Sequence, residues 1–291
     1  TPQMGTISGY TSGGLTTTPA TARVNTIDKF PFSSDTSAGD VGDLTQAREC
    51  VSGQSSSTFG YSSAGACPPS SFDTIDKFPF SSDTNATDVG ELTRSTAITA
   101  GQSSQTFGYD SGGGDVIDKF PFAANSPATS VGNLLASVSF LRAGQSSSQC
   151  GYATGGFVSP AAIDTIQKFS FSTDGNSVDV GEITSGRYSA AGQSSQTHGY
   201  TSGGQPPAVD TIDKFTFSSD ASSTDVGELT SALSVATGQN SLVSGYTSGG
   251  NPVKDTIQKF PFSSDTSASD VGELTQARRG SAGQQSGGNS G

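Results

Sequence analysis

The stretch Asp73-Thr-Ile-Asp-Lys-Phe-Pro-Phe80 decides the fold, because variants of it occur five more times along the 291-residue chain. The isoleucines of the six copies are Ile27, Ile75, Ile117, Ile166, Ile212 and Ile257. Successive copies lie 42 to 49 residues apart. A repeat of this length is typical of an architecture whose unit is one four-stranded sheet, the blade of a β-propeller. We therefore expect an all-β protein made of a ring of blades.

Each repeat predicts four short antiparallel strands, and the fifth repeat shows them most clearly. Its strands are predicted at 188–195, 197–204, 210–217 and around 225–229. These runs are rich in Val, Ile, Thr and aromatic residues and are separated by Gly, Pro, Asp and Ser, as in a β-meander. Twelve of the 17 phenylalanines form Phe-x-Phe pairs in the third strands. Because a blade is covered on both faces by its neighbours, we interpret these pairs as packing between blades.

The two ends of the chain predict how the ring closes. The Gly-Tyr signature of a second strand begins at Tyr10 without a first strand before it, and the Gly-Gln signature of a first strand occurs last at Gln284. Head and tail are thus complementary parts of one blade, which predicts six blades in a single domain, 1–291, closed by the C-terminal strand. The predicted limits are 276–286 plus 1–45, 46–93, 94–135, 136–185, 186–230 and 231–275 for blades 1 to 6.

Composition excludes several classes of protein. The net charge is −12 and the 14 basic residues do not cluster, which argues against binding to nucleic acid. No apolar run is long enough to span a membrane, and no signal peptide is visible. A chain that begins at Thr1 has lost an N-terminal segment or is a piece of a longer protein, and both alternatives stay open. Cys50 and Cys67 form a disulfide or are, like Cys150, small half-buried residues.

The order of strands resembles the kelch repeat. An Arg-led strand of small residues precedes a Tyr-x-x-Gly-Gly strand, Tyr200-Thr-Ser-Gly-Gly204, and an aromatic third strand and a short fourth strand follow. The chain departs from the kelch pattern because it has no Trp, and the leading Arg is present only at Arg48, Arg187 and Arg278. The phrases Ile-Asp-Lys-Phe-Pro-Phe and Asp-Val-Gly-Glu-Leu also resemble repeats in structural proteins of bacteriophages from marine and fresh water. This second resemblance implies a virion, tail-fibre or appendage role and an extracellular or virion location.

Nearly all variation in length falls in one family of loops. Nine positions always separate the second Phe of a pair from the Val of the fourth strand, whereas the link from Gly-Gly to the third strand varies from one to ten residues. All loops of this family must lie on one face of a propeller, and surface loops on a rigid scaffold commonly carry recognition. The candidate contact residues in them are Phe72, Pro68, Pro69, Phe157, Pro206 and Pro207. Unconstrained drift of turn sequences is the alternative explanation.

The third-strand lysines are candidate structural ties between blades rather than a ligand site. Each follows an Asp or Asn by four positions, and the pairs chosen as ties are Lys77 with Asp73, Lys119 with Asp115 and Lys214 with Asp210. Acidic loops such as 81–88 offer oxygen ligands for Ca²⁺ but lack the dense spacing of a calcium loop, so we expect neither metal nor cofactor. His198 is the only histidine, and it lacks the partners that a kelch-like copper oxidase or a Ser-His-Asp hydrolase requires.

The sequence therefore favours a non-catalytic propeller that serves as a structural or adhesive module. Its expected partners are other structural subunits or a glycan or protein on a host surface, with a homo-oligomer or fibre as a further possibility. The alternative is a soluble lectin that binds carbohydrate in a pocket repeated in several blades. Oxidase or hydrolase activity is the third hypothesis, and the residue inventory argues against it.

Overall fold

The computed structural model describes residues 3–97, 99–138 and 142–287. These residues form six antiparallel sheets arranged in a ring, with four strands in each blade, and they contain no helix. None of them therefore provides a helix that could cross a membrane. The predicted fold class, an all-β propeller with six blades, is confirmed.

Along the chain the described residues form 27 strands. The first nine are β1 Ser8–Thr16, β2 Ala22–Pro31, β3 Gly39–Asp43, β4 Ser52–Ser55, β5 Phe59–Ser63, β6 Ala66–Cys67, β7 Ser70–Pro79, β8 Thr87–Thr96 and β9 Thr99–Ser103. The next nine are β10 Phe107–Gly112, β11 Gly114–Pro121, β12 Thr129–Val138, β13 Ala143–Ser146, β14 Cys150–Thr154, β15 Phe157–Val158, β16 Ala161–Ala162, β17 Thr165–Ser170 and β18 Val178–Glu182. The last nine are β19 Ala191–Ser194, β20 His198–Ser202, β21 Val209–Thr216, β22 Thr224–Leu233, β23 Thr237–Asn240, β24 Ser244–Ser248, β25 Lys254–Pro261, β26 Ser269–Arg278 and β27 Ala282–Ser286.

The ring closes at blade 1, where the ends of the chain pair. From the axis outwards, blades 1 to 6 are β27-β1-β2-β3, β4-β5-β7-β8, β9-β10-β11-β12, β13-β14-β17-β18, β19-β20-β21-β22 and β23-β24-β25-β26. β27 pairs antiparallel with β1 from Ser8 opposite Ser286 to Ser12 opposite Ala282. The carbonyl oxygen of Gln3 also accepts hydrogen bonds from Asn240 Nδ2 in blade 6 and Gln285 Nε2 in blade 1. The N-terminal segment therefore joins the first and last blades directly.

The outer strands of four blades run three residues beyond the blade limits expected from the sequence. They end at residues 96, 138, 233 and 278, whereas the limits were placed at 93, 135, 230 and 275. The extra residues pair with the start of the third strand, as Leu233 does with Val209. The first strand of blade 5 is shorter than predicted, Ala191–Ser194, because Tyr188 pairs with Gln205 instead.

The disc has two different faces. The short turns between first and second strands and the loops between third and fourth strands lie together, and we call this side the turn face. The loops between second and third strands lie opposite, on what we call the variable face, beside the links that join one blade to the next. Backbone bridges such as Glu49 to Ala66 and Ser234 to Asn251 hold these links against those loops.

An aromatic cluster fills each boundary between blades. Between blades 5 and 6, the centroid of Tyr200 lies 5.4 Å from that of Phe260 and 4.9 Å from that of Phe262, and Ile212 and Leu229 complete the buried cluster. Corresponding clusters occupy all six boundaries. Offset aromatic contacts of this kind add about 0.5–1.5 kcal/mol to the effect of buried area alone. The predicted packing role of the Phe-x-Phe pairs is confirmed.

A ring of glycines closes the centre of the disc. They are the glycines of the Gly-Gln pairs, Gly53, Gly101, Gly144, Gly192, Gly238 and Gly283. A Cβ atom built on any of them would lie 2.0 to 2.4 Å from the carbonyl oxygen of the ring glycine in the adjacent blade. Any side chain here would push the six first strands apart, because this distance is far inside van der Waals contact.

The glutamine that follows each of these glycines hydrogen-bonds to the next blade. Gln193 Nε2 donates to the carbonyl oxygen of Tyr246, 3.0 Å away, and to Ser202 Oγ in its own blade. The same bond from Gln to the next tyrosine carbonyl occurs at all six boundaries. All six glutamines are at most 1% exposed, so each bond satisfies groups that water does not reach.

Buried ion pairs supplement the rings at some boundaries. Arg187 Nη2 lies 2.9 Å from Asp213 Oδ2, and Thr184 of blade 4 donates its backbone N–H and its hydroxyl to the same carboxylate. The equivalent pairs are Arg48 with Asp76 and Arg278 with Asp28. In blade 6 the two positions hold Leu233 and Gln258 instead. Blade 3 has Asp118 on its third strand but Thr96 at the leading position, and Arg94 pairs with Asp118 instead, at 3.1 Å.

Candidate functional site

The variable face carries the candidate contact residues in loops that stand out from the scaffold. Pro68 and Pro69 are exposed beside β6, and Pro206 and Pro207 are exposed in the loop before β21. Phe72 is half-buried because it lies in β7 opposite Thr96. The prolines are therefore free to contact another molecule, whereas Phe72 is partly committed to its own blade.

The candidate Phe157 lies in a small hairpin on the same face. β15 and β16 pair through Phe157 opposite Ala162 and Val158 opposite Ala161. The ring of Phe157 is half-buried and packs edge-on against Tyr188 of the adjacent link, with 5.5 Å between centroids. This contact fixes the hairpin on the scaffold, so its tip presents Ser159 and Pro160 to solvent.

The axis of the ring offers only small depressions. The depression on the variable face has a volume of about 100 Å³ and is lined by small residues of the links and first strands, such as Ser189, Val235 and Gly280. Its counterpart on the turn face has about 50 Å³. Binding sites for small molecules generally have volumes of about 300 Å³ or more. The axis is therefore a poor site for such a ligand.

The turn face has larger clefts between neighbouring blades. The cleft between blades 3 and 4 has a volume of about 460 Å³ and is lined by Ser104, Gln105, Phe107, Gln149 and Phe171 among others. The cleft between blades 1 and 2 has about 450 Å³; its Phe80 corresponds to Phe171, and its Phe59 occupies the place of Cys150. Each cleft combines aromatic faces with hydroxyl or amide groups. This combination suits a flat, polar ligand such as a sugar ring.

The six third-strand lysines connect neighbouring blades on the turn face. Lys119 Nζ lies 2.9 Å from Asp174 Oδ1, Lys214 Nζ lies 2.7 Å from Asp265 Oδ1, and Lys77 Nζ donates to Asn125 Oδ1. The remaining pairs are Lys29 with Asp83, Lys168 with Asp220 and Lys259 with Asp35. In every pair the acceptor belongs to the next blade. Partly exposed pairs of this kind contribute at most about 1 kcal/mol each.

The acidic residues chosen from the sequence as partners of these lysines have other contacts. Asp73 accepts a hydrogen bond from Ser95 Oγ, and Asp115 accepts one from Asn133 Nδ2, in both cases within the same blade. Asp210 lies four positions before Lys214 on β21. Four residues of a strand span about 13 Å, so side chains at this spacing share a face without meeting. The acceptors are found instead in the loops of constant length between third and fourth strands.

Between blades 2 and 3, a single acidic side chain interrupts the buried side-chain hydrogen bonds that join neighbouring blades. Asp110 is fully buried, and its Oδ2 accepts a hydrogen bond from Ser63 Oγ of blade 2, while Oδ1 has no partner. At the equivalent point between blades 1 and 2, Ser12 and Ser62 share a hydrogen bond between hydroxyls. Burial raises the pKa of Asp110 to about 7. The site is deep in the scaffold, so we assign Asp110 no contact with a ligand.

The remaining reactive side chains have ordinary packing environments. Cys50, Cys67 and Cys150 are free thiols. Of the two alternatives for Cys50 and Cys67, the disulfide is therefore not formed. Burial raises the pKa of the Cys50 thiol to about 11. His198 is half-buried, and burial and the charge of Lys214 lower its pKa. The described residues contain no cluster of three His, Cys, Asp or Glu side chains that could hold a metal ion.

Comparison with known proteins adds no family to this description. Neither the protein-family models nor the curated proteins contain a match to the chain. The propeller itself is established by the sheet topology.

Proposed function

We propose that this protein is a non-catalytic binding propeller that acts as a structural or adhesive module, with the loops of its variable face as the contact surface. One observation carries the proposal. The contacts at the blade boundaries repeat around the ring, whereas the variable-face loops differ in length and sequence from blade to blade. A rigid scaffold with one variable surface is a common arrangement for recognition.

The chemistry of these loops favours a partner with a broad, uncharged surface. The exposed loop residues include Pro68, Pro69, Pro206 and Pro207, together with neighbouring Ser, Thr and Ala side chains. Rigid prolines lose little conformational entropy when they are covered. The bacteriophage resemblance supports a sibling subunit or a host-surface molecule as that partner, in a virion or an extracellular appendage.

The experiment replaces long loops by the connection that blade 3 already uses. Residues 66–72 and 157–163 are each exchanged for a single Gly, which copies the one-residue link at Gly114. Fluorescent wild-type and exchanged proteins are then tested on intact bacterial cells of several aquatic species and on a glycan array. We expect the wild type to bind a subset of cells and the exchanged protein to lose this binding while it keeps the circular dichroism spectrum and the cooperative unfolding of a folded propeller. Equal binding by both proteins contradicts the assignment to the variable face.

A lectin is the second candidate, and the turn-face clefts support it. The clefts at Phe107 and Phe59 occupy equivalent positions in different blades, as a repeated sugar site requires. Under this proposal the loop-exchanged protein retains its signals on the glycan array, whereas Phe107→Ala with Phe59→Ala weakens them. Array signals that depend on the loops instead assign glycan binding to the variable face.

A further inference from the structure

The position of Asp110 carries an uncharged side chain in every other blade. This position follows the tyrosine of each second strand and lies at the boundary with the preceding blade. All six side chains are fully buried. The residues in blades 1, 2, 4, 5 and 6 are Thr11, Ser62, Ala153, Thr201 and Thr247. Blade 3 alone therefore places a carboxyl group where water does not reach it.

The hydrogen bonds around Asp110 suit a neutral carboxyl group better than a charged one. Ser63 Oγ lies 2.8 Å from Oδ2, and Oδ1 has no partner among the described residues. Gln54 Oε1 lies 3.2 Å from the same Ser63 oxygen and competes for its single proton. A protonated Asp110 can donate to Ser63 and leave that proton for Gln54. A carboxylate at this position requires the proton for itself.

The charged groups that face Asp110 do not neutralise a carboxylate. They are Arg94 and Asp118. Asp118 lies directly opposite Asp110 on β11, and directly paired residues project from the same face of a sheet. The guanidinium of Arg94 already binds Asp118 at 3.1 Å and the carbonyl oxygens of Gly112 and Gly113. An ionised Asp110 would therefore set two buried carboxylates against one guanidinium, which is costly.

The protonation of Asp110 is linked to the opening of this boundary. Opening between blades 2 and 3 would expose the carboxyl group to water, where it ionises near pH 4. In the closed boundary, burial raises the pKa of Asp110 to about 7. Between about pH 4 and 7 the open form has lost a proton that the closed form keeps. The equilibrium constant for opening therefore rises about tenfold per pH unit, or about 1000-fold over this window.

We propose that the boundary between blades 2 and 3 is a pH-sensitive seam of the ring, with Asp110 as its sensor, which opens far more readily at neutral than at acidic pH. The boundary between blades 1 and 2 lacks such a sensor, because the Ser12 and Ser62 hydroxyls share a hydrogen bond of 2.7 Å there. This inference goes beyond the proposed function and does not depend on it, because Asp110 lies inside the scaffold and not on the variable face.

Two backbone amides report on the seam because they donate across it. The N–H of Ser55 in blade 2 donates to Ser103 Oγ in blade 3, and the N–H of Ala128 in blade 3 donates to the carbonyl oxygen of Glu91 in blade 2. Opening of the seam breaks both bonds and allows these amides to exchange with solvent.

The boundary between blades 1 and 2 provides the matched control amides. There the N–H of Gln285 donates to Ser55 Oγ, and the N–H of Ala86 donates to the carbonyl oxygen of Asp43. These two bonds are equivalent to the two bonds at the seam. They differ in that no titratable side chain occupies the position of Asp110.

Hydrogen exchange of the full chain, resolved by NMR and corrected for the intrinsic rate at each pH, tests the proposal. Between about pH 4.5 and 7 the protection of the Ser55 and Ala128 amides should fall by about 100-fold or more. The protection of the Gln285 and Ala86 amides should change by less than about threefold, since no carboxyl group of this kind is linked to their boundary. Equal changes at the two boundaries, or no fall at the seam, overturn the proposal.

Two variants locate the sensor. Asp110→Ser should keep the protection of the Ser55 and Ala128 amides nearly constant over this pH range. Ser62→Asp combined with Asp110→Ser exchanges the two residues between blades, leaves the net charge unchanged and should move the pH-dependent fall to the control amides.

The surroundings of the two positions match, because Ser12 faces Ser62 as Ser63 faces Asp110, and Asp76 lies opposite Ser62. A pH-dependent fall that remains at the seam in either variant overturns the proposal. The single variant decides the outcome also if the double variant fails to fold.

Discussion

Replacing the buried pair Arg187 and Asp213 by Leu and Gln should leave the protein nearly as stable as the wild type, although each single replacement is severely destabilising. The chain contains both arrangements, since blade 6 holds Leu233 and Gln258 at these positions. Arg187 is 2% exposed and Asp213 is fully buried, so neither charge can recruit water when its partner is removed. Removing one partner of such a pair costs about 3–5 kcal/mol, whereas neutral replacement of both is often without cost.

The arithmetic gives a large coupling energy. If each single variant loses about 3 kcal/mol or more of its free energy of unfolding and the double variant loses at most about 1 kcal/mol, the coupling energy between the two residues is about 5 kcal/mol or more. Thr184 can still donate to a glutamine oxygen, as Thr230 does to Gln258. Gln at 213 therefore retains the contact between blades.

Equilibrium unfolding in urea, followed by circular dichroism, measures the four free energies of unfolding. Asp213→Gln and Arg187→Leu should each shift the midpoint strongly, and the double variant should return close to the wild type. Additive losses in the double variant would refute the reasoning, because they would show that the charges stabilise the boundary in a way that Leu and Gln do not replace.

Three further outcomes follow from other buried groups. Asp110→Ser should stabilise the protein by up to about 4 kcal/mol at pH 8 and not at pH 4. The raised pKa of about 7 makes the native state hold a proton that the unfolded state loses between about pH 4 and 7, so stability falls as pH rises through that window. Unfolding curves at the two pH values check this, and a gain at pH 4 equal to that at pH 8 contradicts it. Gly192→Ala should destabilise the protein by about 2 kcal/mol or more, because its Cβ would lie 2.2 Å from the oxygen of Gly144. An unchanged thermal midpoint would contradict the conclusion that the ring glycines leave no room for a side chain. Cys50 should react with iodoacetamide at pH 8 far more slowly than an unfolded control, because burial raises its pKa to about 11, and equal rates by mass spectrometry contradict this.

The strands and the order of the blades could be predicted because they depend on local patterns. Phe-x-Phe pairs, turn residues and constant spacings occur within each repeat, and the missing half-blade at each end indicates the closure. The glutamine ring was not predicted, although Gln follows Gly at the same point of every repeat. Its acceptor is a backbone carbonyl, as at Tyr246, and a carbonyl leaves no distinctive residue in the sequence.

The partners of the lysines could not be predicted from spacing within one strand. Lys119 contacts Asp174, which is 55 residues away in the next blade, and only the curvature of the ring brings the two together. The sequence alone shows that blade 3 has Ser130 and Asn133 where other blades are acidic. The structure adds that this segment is an outer strand and that Leu135 on it is exposed.

Repetition itself separates the structural residues from the candidates for function. A residue needed at every boundary must occur in every blade, as the ring glycines and glutamines do, so a departure in one blade marks a position that closure of the ring does not require. Blade 3 departs at several such positions, with a single residue in its variable-face loop, the buried Asp110 and no charge on its outer strand.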